Sequence, residues 1–452
     1  MQEFDLIVIG SGSGLDVANA AAERGMKVAI IEKSRMGGTC LNRGCIPSKL
    51  LIHSADVAET IATAGTFGIR VNGFSVDFEA IVNRSNRIID SDSDGIRDAF
   101  SRIENPKLFP HECRFSSSKT ILVGGETIKA DKVLVASGTR PTVPRIEGLQ
   151  GSGFITSDEA LRLKKQPRKL TIIGGGYIAA ELAHFFGALG TMINIVQRRN
   201  TLLPNEDEDV AAKFTELFSK KYGVYLGYDT MSVSKKGDSF IVNANNSSGK
   251  VVQLESDQLL VAAGRMPNSD TLDLAKTGVE TDERGFIKVD QYLETTAKGI
   301  FALGDAVGRF LFKHSANHEA QYAFNNIVND KQKVPVDYTA MPHAIFSSPQ
   351  VAGVGYTEQR LKKENIVYEK AVYQYINTAM GEAIEDREGF VKFLAAKDGK
   401  ILGCHIIGAH ASILIHEVLV VMRLGADVHG IARTVHIHPA LSEVVSRAAS
   451  SL

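Results

Sequence analysis

Residues 4–14 read FDLIVIGSGSG, a short apolar run followed by glycines at three alternate positions. A helical stretch follows from Val17 to Arg24, and a second apolar run, KVAII, ends at Glu32. This order predicts a strand–helix–strand unit whose glycine turn and helix N-terminus hold a pyrophosphate. An acid about twenty residues after the turn suits hydrogen bonds from ribose hydroxyls, so Glu32 is the candidate for that contact.

The turn itself contributes Gly10, Gly12 and Gly14 and departs from the usual motif at one place. The third glycine of the motif normally allows the helix to pack closely on the strand. Here that position holds Leu15. We therefore expect the packing of helix on strand to adjust locally.

Directly after this unit stands the run GGTCLNRGCIPSK, residues 37–49. In a regular helix Cys40 and Cys45 would be about 7.5 Å apart along the axis, which exceeds the reach of a disulfide. A disulfide between them requires a distorted backbone, which Gly44 and Pro47 suit. A helix opening near Ile46 would lower the pKa of the Cys45 thiol. The run thus predicts a reducible pair in which Cys45 is the thiolate.

Two unrelated thiols, or half of a metal site, are the alternatives for this run. A zinc site needs further Cys or His ligands at short spacing, and none follow, so no metal is predicted. The other cysteines, Cys113 and Cys404, stand alone and are expected to be buried small residues. The redox pair is favoured by the motifs that accompany it further along the chain.

The composition of the chain limits the classes of function that it can have. The chain has 452 residues, a net charge of -1, 44% hydrophobic residues and four cysteines. Such a length allows two to four domains, and the charge gives no general attraction to nucleic acid or anionic membranes. No apolar run approaches a membrane span, and the acidic N-terminus predicts no signal peptide. So few cysteines fit a reducing compartment, and a cytoplasmic location is expected.

The first pattern repeats from Lys169. The run LTIIGGGYIAAE, residues 170–181, supplies Gly174, Gly176 and an alanine in the third small-residue place. The following strand ends in Arg198 and Arg199 instead of an acid. Two guanidinium groups there suit a 2′-phosphate, and surface arginines are the alternative. We therefore predict that the second dinucleotide site binds NADPH in preference to NADH.

Strands that end in small residues complete both dinucleotide sites. KVLVASGTRP, residues 132–141, and QLLVAAGRMPN, residues 258–268, let the chain pass close to a dinucleotide at Ser137, Gly138 and Gly264. GIFALGDA, residues 299–306, ends a further strand at Asp305. That carboxylate suits a ribityl hydroxyl or a phosphate, or it caps a helix.

The chain ends with HIHPALSE, residues 436–443. A helix beginning at Pro439 would place Glu443 one turn beyond His438, close enough to orient the imidazole. Beside a thiol these two side chains form a general acid–base pair. Without the cysteine pair upstream they would read as surface residues.

In combination these motifs resemble the class I pyridine nucleotide–disulfide oxidoreductases, which include dihydrolipoamide dehydrogenase, glutathione reductase and mycothione reductase. The resemblance covers essentially the whole chain. It implies that FAD is bound by the first glycine turn and by Glu32, Thr39, Lys49 and Asp305. It also implies that Cys40 exchanges with substrate and Cys45 faces the flavin.

The same resemblance gives roles to four further residues. Tyr177 would cover the flavin as a gate to the nicotinamide, and Glu181 would pair with Lys49. His438 and Glu443 would serve the active site of the partner subunit, so the resemblance implies a homodimer with shared sites. The net charge, as noted above, predicts no membrane or nucleic-acid partner.

The predicted fold is α/β, with two Rossmann-like dinucleotide-binding domains and a C-terminal α+β dimerisation domain. Its expected parts are an FAD-binding domain at 1–150, an NAD(P)-binding domain at 151–268, a central segment at 269–338 completing the FAD site, and an interface domain at 339–452.

The function expected from the resemblance is reduction of a low-molecular-weight disulfide, with hydride passing from NADPH through flavin to Cys40–Cys45. Oxidation of dihydrolipoamide with NAD is an alternative, because CIPSK and HIHPALSE look like dihydrolipoamide dehydrogenase. Residues 312–320, FKHSANHEA, look more like mycothione reductase. A flavoprotein without catalytic activity is an alternative of another class, against which the intact Cys, His and Glu set argues. Arg43 stands between the cysteines, where the family typically has an apolar residue.

Overall fold

The computed structural model describes all residues from Met1 to Leu452. Its residue contacts divide the chain into two compact units. The first unit comprises Met1–Leu50, Ala80–Thr142 and Gly264–Asp337, and the second comprises Leu51–Glu79, Val143–Ala263 and Tyr338–Leu452. The expected division into four parts is finer than these units and stays a prediction.

Strands and helices alternate through most of the chain. The strands are β1 (Gln2–Ile9), β2 (Val28–Ile31), β3 (Lys107–Phe109), β4 (Cys113–Ser117), β5 (Thr120–Val123), β6 (Glu126–Val135), β7 (Thr139–Pro141), β8 (Lys169–Ile173), β9 (Met192–Gln197), β10 (Gly223–Leu226), β11 (Tyr228–Lys236), β12 (Ser239–Asn246), β13 (Val251–Ser256), β14 (Gln258–Val261), β15 (Arg265–Pro267), β16 (Ile300–Ala302), β17 (Pro342–Ile345), β18 (Gln350–Gly355), β19 (Glu369–Gln374), β20 (Phe390–Ala395) and β21 (Ile401–Gly408). The α-helices are α1 (Gly14–Glu23), α2 (Gly38–Arg43), α3 (Cys45–Thr63), α4 (Phe78–Ser101), α5 (Ser157–Ala160), α6 (Tyr177–Ala188), α7 (Glu208–Lys221), α8 (Lys313–Val328), α9 (Glu358–Lys363), α10 (Ala379–Ala383), α11 (Ala411–Arg423), α12 (Val428–Ala432) and α13 (Glu443–Ala449). None of these helices combines the length and the apolar composition that a membrane crossing requires.

The first unit is built on a seven-stranded sheet in the order β3-β2-β1-β6-β5-β4, with β16 paired to β6. Strands β1, β2, β3, β6 and β16 run parallel, whereas β4 and β5 form antiparallel pairs. Leu6, Ile7 and Val8 of β1 are fully buried, because a central parallel strand is covered on both faces. The strand from residues 299–306 therefore completes the same sheet as the N-terminal strand.

The second unit contains three sheets. Strands β10-β9-β8-β14 form a parallel sheet, and β11-β12-β13 form a separate antiparallel sheet. The C-terminal strands form an antiparallel sheet in the order β17-β18-β21-β20-β19, against which α11 and α13 pack. The chain is thus α/β in both nucleotide-binding regions and α+β at its C-terminal end, as expected.

The two glycine turns have the same backbone geometry. Gly10 has a φ of 104°, and a Cβ there would stand 2.3 Å from the carbonyl oxygen of Ala136. Gly174 has a φ of 118°, and a Cβ there would stand 2.2 Å from the carbonyl oxygen of Ala262. Any side chain at either place would collide with the neighbouring strand end, so the strand-to-helix turn requires glycine. The internal repeat seen in the sequence is therefore real.

Several helix limits differ from the expected ones. Helix α3 begins at Cys45, one residue before the expected opening near Ile46, and ends at Thr63, where a 3₁₀ turn over Ala64–Phe67 follows. Helix α13 begins at Glu443, not at Pro439, because residues 439–442 form a turn. The expectation of a helix start at Pro439 was wrong.

Candidate active site

The two cysteines of the redox run lie on different helices. Cys40 lies within α2, which ends at Arg43, and Cys45 is the first residue of α3. Gly44 between them leaves the helical conformation, with φ -144° and ψ -115°. The predicted break in the helix is confirmed, and Cys45 stands at a helix N-terminus, where a thiolate is stabilised.

The side chain of Cys40 is hydrogen-bonded to Cys45. That bond, burial and the negative charge of Cys45 raise the pKa of Cys40, whereas the positive charge of Lys313 lowers it. The raised pKa favours the protonated thiol at Cys40. The disulfide between the two cysteines stays a prediction.

The first glycine turn leaves the N-terminus of α1 open. Its N-cap, Ser13, makes no side-chain bond to the helix. Instead the Ser13 hydroxyl contacts the Asn317 side chain at 2.8 Å and accepts from the Lys313 ammonium at 2.9 Å. Gly14 takes the close-packing role that Leu15 cannot, since a Cβ on Gly14 would stand 2.9 Å from Val8. Free backbone N–H groups beside an ammonium fit a pyrophosphate.

Glu32 is hydrogen-bonded within the protein. One oxygen accepts from the backbone N–H and the hydroxyl of Ser11, and the other accepts from the same two groups of Ser34. A ribose hydroxyl would displace one of these serine hydroxyls. Arg43 donates to the Ser34 hydroxyl at 3.0 Å, so its guanidinium is anchored next to the segment that holds Glu32.

Asp305 lies at the end of β16 and is held by the strand-end turns. It accepts a hydrogen bond from Thr139 at 2.7 Å, and Arg265 donates to Thr139 through both Nε and Nη2. Burial raises the pKa of Asp305, against that hydrogen bond and the charge of Arg265. Glu319 accepts from the backbone N–H of Gly304 at 2.6 Å and fixes this turn.

The second glycine turn is also open, because Gly176 caps α6 without a side-chain bond. Arg198 and Arg199 follow β9 directly and are both exposed. Their position at the end of the second strand of the unit is that of the ribose-binding residue in such folds. The geometry therefore leaves two cations available to the adenosine end of a nucleotide.

Tyr177 and Glu181 stand on the first two turns of α6. Tyr177 donates from its hydroxyl to Oε1 of Glu206, whose Oε2 lies 2.7 Å from Nε2 of His343. Glu181 accepts from the backbone N–H of Phe346 at 3.1 Å. Lys49, which lies 3.3 Å from the Ser48 hydroxyl, belongs to the other unit, and its pairing with Glu181 stays a prediction.

His438 and Glu443 meet near the C-terminus. The Nδ1 atom of His438 lies 3.1 Å from Oε1 of Glu443, and the backbone N–H of Ala440 donates to Oε2 of the same carboxylate. These two hydrogen bonds lower the pKa of Glu443. The expected contact is confirmed even though the turn is not helical. The His438 side chain is 72% exposed, so its other nitrogen faces away from its own chain.

A neighbouring histidine fixes the same loop. Nε2 of His436 lies 2.6 Å from Oε1 of Glu417 on α11. This contact ties the loop to a helix and leaves His438 projecting.

Comparison with known proteins accounts for this set of residues. Residues 4–324 match the family model of pyridine nucleotide-disulphide oxidoreductases, and residues 341–449 match the dimerisation domain of the same family. This chain is a pyridine nucleotide–disulphide oxidoreductase.

The relatives of the oxidoreductase have two different activities. Mycothione reductase of Mycobacterium tuberculosis is 34% identical over 462 residues and covers 99% of both chains. The mitochondrial dihydrolipoyl dehydrogenase of Dictyostelium discoideum is 35% identical over 460 residues, which cover 99% of this chain and 94% of that protein. Among solved structures, the Cu(II) complex of the HOCl-induced flavoprotein disulfide reductase of Escherichia coli matches over the full length of both chains, with a TM-score of 0.89 and 25% identity.

The family uses FAD together with NAD(P)H, and the residues of the oxidoreductase fit FAD. Hydrogen-bond donors and acceptors lie at the carboxyl ends of the parallel strands β1, β6 and β16. They are the open N-terminus of α1, the buried carboxyl of Asp305 and the Ser137 hydroxyl, which is buried without a partner. Thr39, Gly12 and Gly138 lie in the same unit. The match to the dimerisation domain supports a homodimer.

Some residues of the site escaped the sequence analysis. They are Lys313, Arg265, Glu319, Glu206 and His343. Lys313 and Glu319 stood in a run that resembled mycothione reductase, which could have marked them. Glu206 and His343 are more than a hundred residues apart and carry no local signal, since only the fold brings them together.

Proposed function

We propose that this oxidoreductase reduces a low-molecular-weight disulfide with electrons from NADPH through Cys40 and Cys45. The observation that carries the proposal is the hydrogen bond between the Cys40 thiol on α2 and the Cys45 thiol at the first position of α3. FAD, when bound, supplies a hydride acceptor for the nicotinamide and an electron donor for the disulfide.

The sulfur chemistry uses the two thiols in turn. Cys40, once deprotonated, attacks one sulfur of the substrate disulfide, forms a mixed disulfide and releases the first thiolate. Cys45 then attacks the Cys40 sulfur, restores the Cys40–Cys45 disulfide and releases the second thiolate. The first departing thiolate takes the proton of Cys40, and the second takes a proton from solvent.

A base is required because burial and Cys45 hold the proton on Cys40. We assign this role to His438 of the second subunit in the homodimer. Its imidazole is exposed and oriented through Nδ1 by Glu443, which leaves Nε2 to accept the Cys40 proton and return it to the departing thiol.

The preference for NADPH rests on Arg198 and Arg199. Replacing both with Ala should raise the KM for NADPH far more than the KM for NADH, because each charge-assisted contact to a 2′-phosphate contributes roughly 1.5–3 kcal/mol. Steady-state kinetics with both nucleotides measures this. Small, equal changes in the two KM values would show that the arginines are surface charges and that NADPH is not preferred.

Oxidation of dihydrolipoamide with NAD⁺ is the second candidate function, favoured by the relatives that are dihydrolipoyl dehydrogenases. It uses the same residues in reverse. A rate panel of mycothiol disulfide, glutathione disulfide and dihydrolipoamide against both nucleotides separates the two. The highest kcat/KM for a disulfide with NADPH supports the proposal, and the highest value for dihydrolipoamide with NAD⁺ rejects it. No turnover with any pair would indicate a flavoprotein without catalytic activity.

A further inference from the structure

Three side chains link the second glycine turn to the C-terminal sheet within one unit. The Tyr177 hydroxyl is bonded to Glu206, and Glu206 is paired with His343 on β17. The rings of Tyr177 and His343 are also stacked, with their planes 2° apart and their centroids 6.2 Å apart. Tyr177 is therefore held both at its hydroxyl and along its ring.

Glu206 is fixed against the glycine turn. Its side chain is 1% exposed. The turn that carries it is tied to the glycine turn, because the backbone N–H of Leu203 donates to the carbonyl of Gly175 at 2.8 Å. Gln359 donates to the backbone carbonyl of Glu206 at 2.7 Å. These contacts fix the backbone that carries the Glu206 carboxylate.

The chain of contacts is charged. Burial disfavours the ionised form of Glu206, but the charge and hydrogen bond of His343 and the hydrogen bond of Tyr177 outweigh it and lower the Glu206 pKa. Burial likewise disfavours a charged His343, but Glu206 raises the His343 pKa. Burial raises the pKa of the Tyr177 phenol, so the phenol remains the donor. A buried hydrogen bond to a charged acceptor is stronger than a neutral one.

We propose that Glu206, braced by His343, latches Tyr177 at the entrance to the nicotinamide subsite, and that the Tyr177–Glu206 hydrogen bond breaks when the nicotinamide enters. Glu206 and His343 are then positioning residues that act through Tyr177. This inference rests on the proposed function, because it assumes that the nicotinamide nucleotide binds at the second glycine turn.

The location of Tyr177 supports the nicotinamide half as the part it meets. Tyr177 is the first residue of α6, directly after the turn that would hold the pyrophosphate. The adenosine half is directed to the end of β9, where Arg198 and Arg199 stand. The nicotinamide half would extend from the pyrophosphate in the direction opposite to the adenosine half. Tyr177 is therefore the side chain that we expect it to meet.

The test compares two ligands of the holoenzyme: NADP⁺, and 2′-phospho-ADP-ribose, which lacks the nicotinamide. Calorimetry gives the Kd of both for the wild type, Tyr177→Phe, Glu206→Gln and the double variant. Each single change should lower the Kd of NADP⁺ about tenfold, because binding no longer has to break the Tyr177–Glu206 hydrogen bond. Each should leave the Kd of the nicotinamide-free ligand unchanged. The double variant should show no further gain, because both changes remove the same bond. If the enzyme prefers NADH, NAD⁺ and ADP-ribose replace this pair.

Glu208→Gln is the matched control. Glu208 lies two residues further along the chain as the first residue of α7, is half exposed and pairs with Lys362 instead of with Tyr177. It should leave the Kd of both ligands unchanged. In stopped-flow experiments the latch variants should also reduce the flavin faster with NADPH, while reoxidation by the disulfide should proceed at the wild-type rate.

Three results would overturn the latch. One is a Glu206→Gln variant that binds NADP⁺ as the wild type does while Tyr177→Phe binds it more tightly. Another is an equal change in the Kd of both ligands, which would make Glu206 a structural residue of the nucleotide fold. A third is additive effects in the double variant. If even Tyr177→Ala leaves both Kd values unchanged, Tyr177 is not at the nicotinamide subsite, and the proposed nucleotide site fails with the latch.

Discussion

The proton on Cys40 is controlled by side chains from distant parts of the sequence. The bond to Cys45, burial and the Cys45 charge raise the Cys40 pKa, and Lys313 opposes them from almost three hundred residues away. Lys313 also donates to Ser13 in the first glycine turn. One ammonium therefore acts to lower the pKa of the Cys40 thiol and also contacts the N-terminus of α1.

Lys313→Met should raise the Cys40 pKa, because it removes the positive charge that favours the thiolate. The rate of Cys40 alkylation in the reduced enzyme, followed by mass spectrometry as a function of pH, measures this. We expect the profile to move to higher pH and the rate at pH 8 to fall several-fold. Lys313→Arg keeps the charge and should follow the wild type. An unchanged profile for Lys313→Met would contradict the assigned role.

The roles of the two thiols should also be distinguishable from the absorption spectra of cysteine variants. Reduction by two electrons should produce a long-wavelength charge-transfer band, because the Cys45 thiolate stands at a helix N-terminus and faces the flavin in the proposed arrangement. Cys45→Ser should abolish the band, and Cys40→Ser should show it without reduction. A band that survives in Cys45→Ser would reverse the assignment of the two thiols.

Among the helices and strands, a single buried lysine joins α7, α9 and β20. Lys392 on β20 is fully buried and lies 2.7 Å from both Asp207, the N-cap of α7, and Asp209. It also pairs with Glu358 at the start of α9, and the backbone N–H of Glu358 donates to Asp207. Three carboxylates around one ammonium hold these elements together only while the ammonium is present.

Lys392→Met should destabilise the fold by about 3–5 kcal/mol, because it leaves the fully buried carboxylate of Asp207 without its lysine partner. Denaturant unfolding measures the loss. Lys370→Met is the control: Lys370 pairs with Glu358 at 3.2 Å but is 40% exposed. Its loss should cost less than about 1 kcal/mol. Equal losses for the two variants would show that burial of Lys392 is not the cause.

The pH dependence of that difference has a defined sign. Burial disfavours ionised Asp207 and Glu358, but their basic partners lower both pKa values. Their contribution is complete above about pH 5 and is lost as the pH falls through the lowered pKa values. Burial also disfavours charged Lys392, but its carboxylates raise its pKa, so its contribution is lost only as the pH rises above about 10.4. The difference between wild type and Lys392→Met should therefore be greatest between these limits and narrow in acid.

The complete homodimer explains features that one chain does not. Val435 and Ile437, which flank the His436–Glu417 contact, are 96% and 79% exposed. Leu424 at the end of α11 is 79% exposed. Apolar side chains so fully exposed, in a region that matches the dimerisation domain, are typical of a surface covered by a second copy. His438 projects from this same loop.

Subunit exchange tests whether His438 acts across that interface. His438→Ala should lose turnover by about 10²–10⁴-fold, the usual contribution of a general acid–base group. Flavin reduction by NADPH should survive, because that half-reaction does not use the imidazole. Glu443→Ala should lose less turnover, because Glu443 only orients the ring.

Mixing inactive Cys40→Ser and inactive His438→Ala proteins should restore activity in heterodimers, each with one intact site. Demonstrated exchange without recovery would mean that each chain completes its own site.

The sequence by itself determined the features that depend on neighbours along the chain. The apolar runs and the glycines at 10 and 174 specified both dinucleotide folds, because such turns admit no side chain. The spacing of Cys40 and Cys45 required a broken helix, since a regular one would hold the thiols too far apart. HIHPALSE brought His438 and Glu443 together through a short turn, although the turn is not the expected helix.

Only the tertiary structure decided the contacts between residues far apart in the chain. The antiparallel strands β11–β13 were not predicted, although Phe240, Val242 and Ala244 of β12 alternate with less buried residues. Lys313 beside Cys40, Lys392 among its carboxylates and the Tyr177–Glu206–His343 chain have no local pattern. Each depends on side chains that meet only after the sheets have formed. Burial strengthens the interactions between their charges, because the protein interior screens charge less than water does.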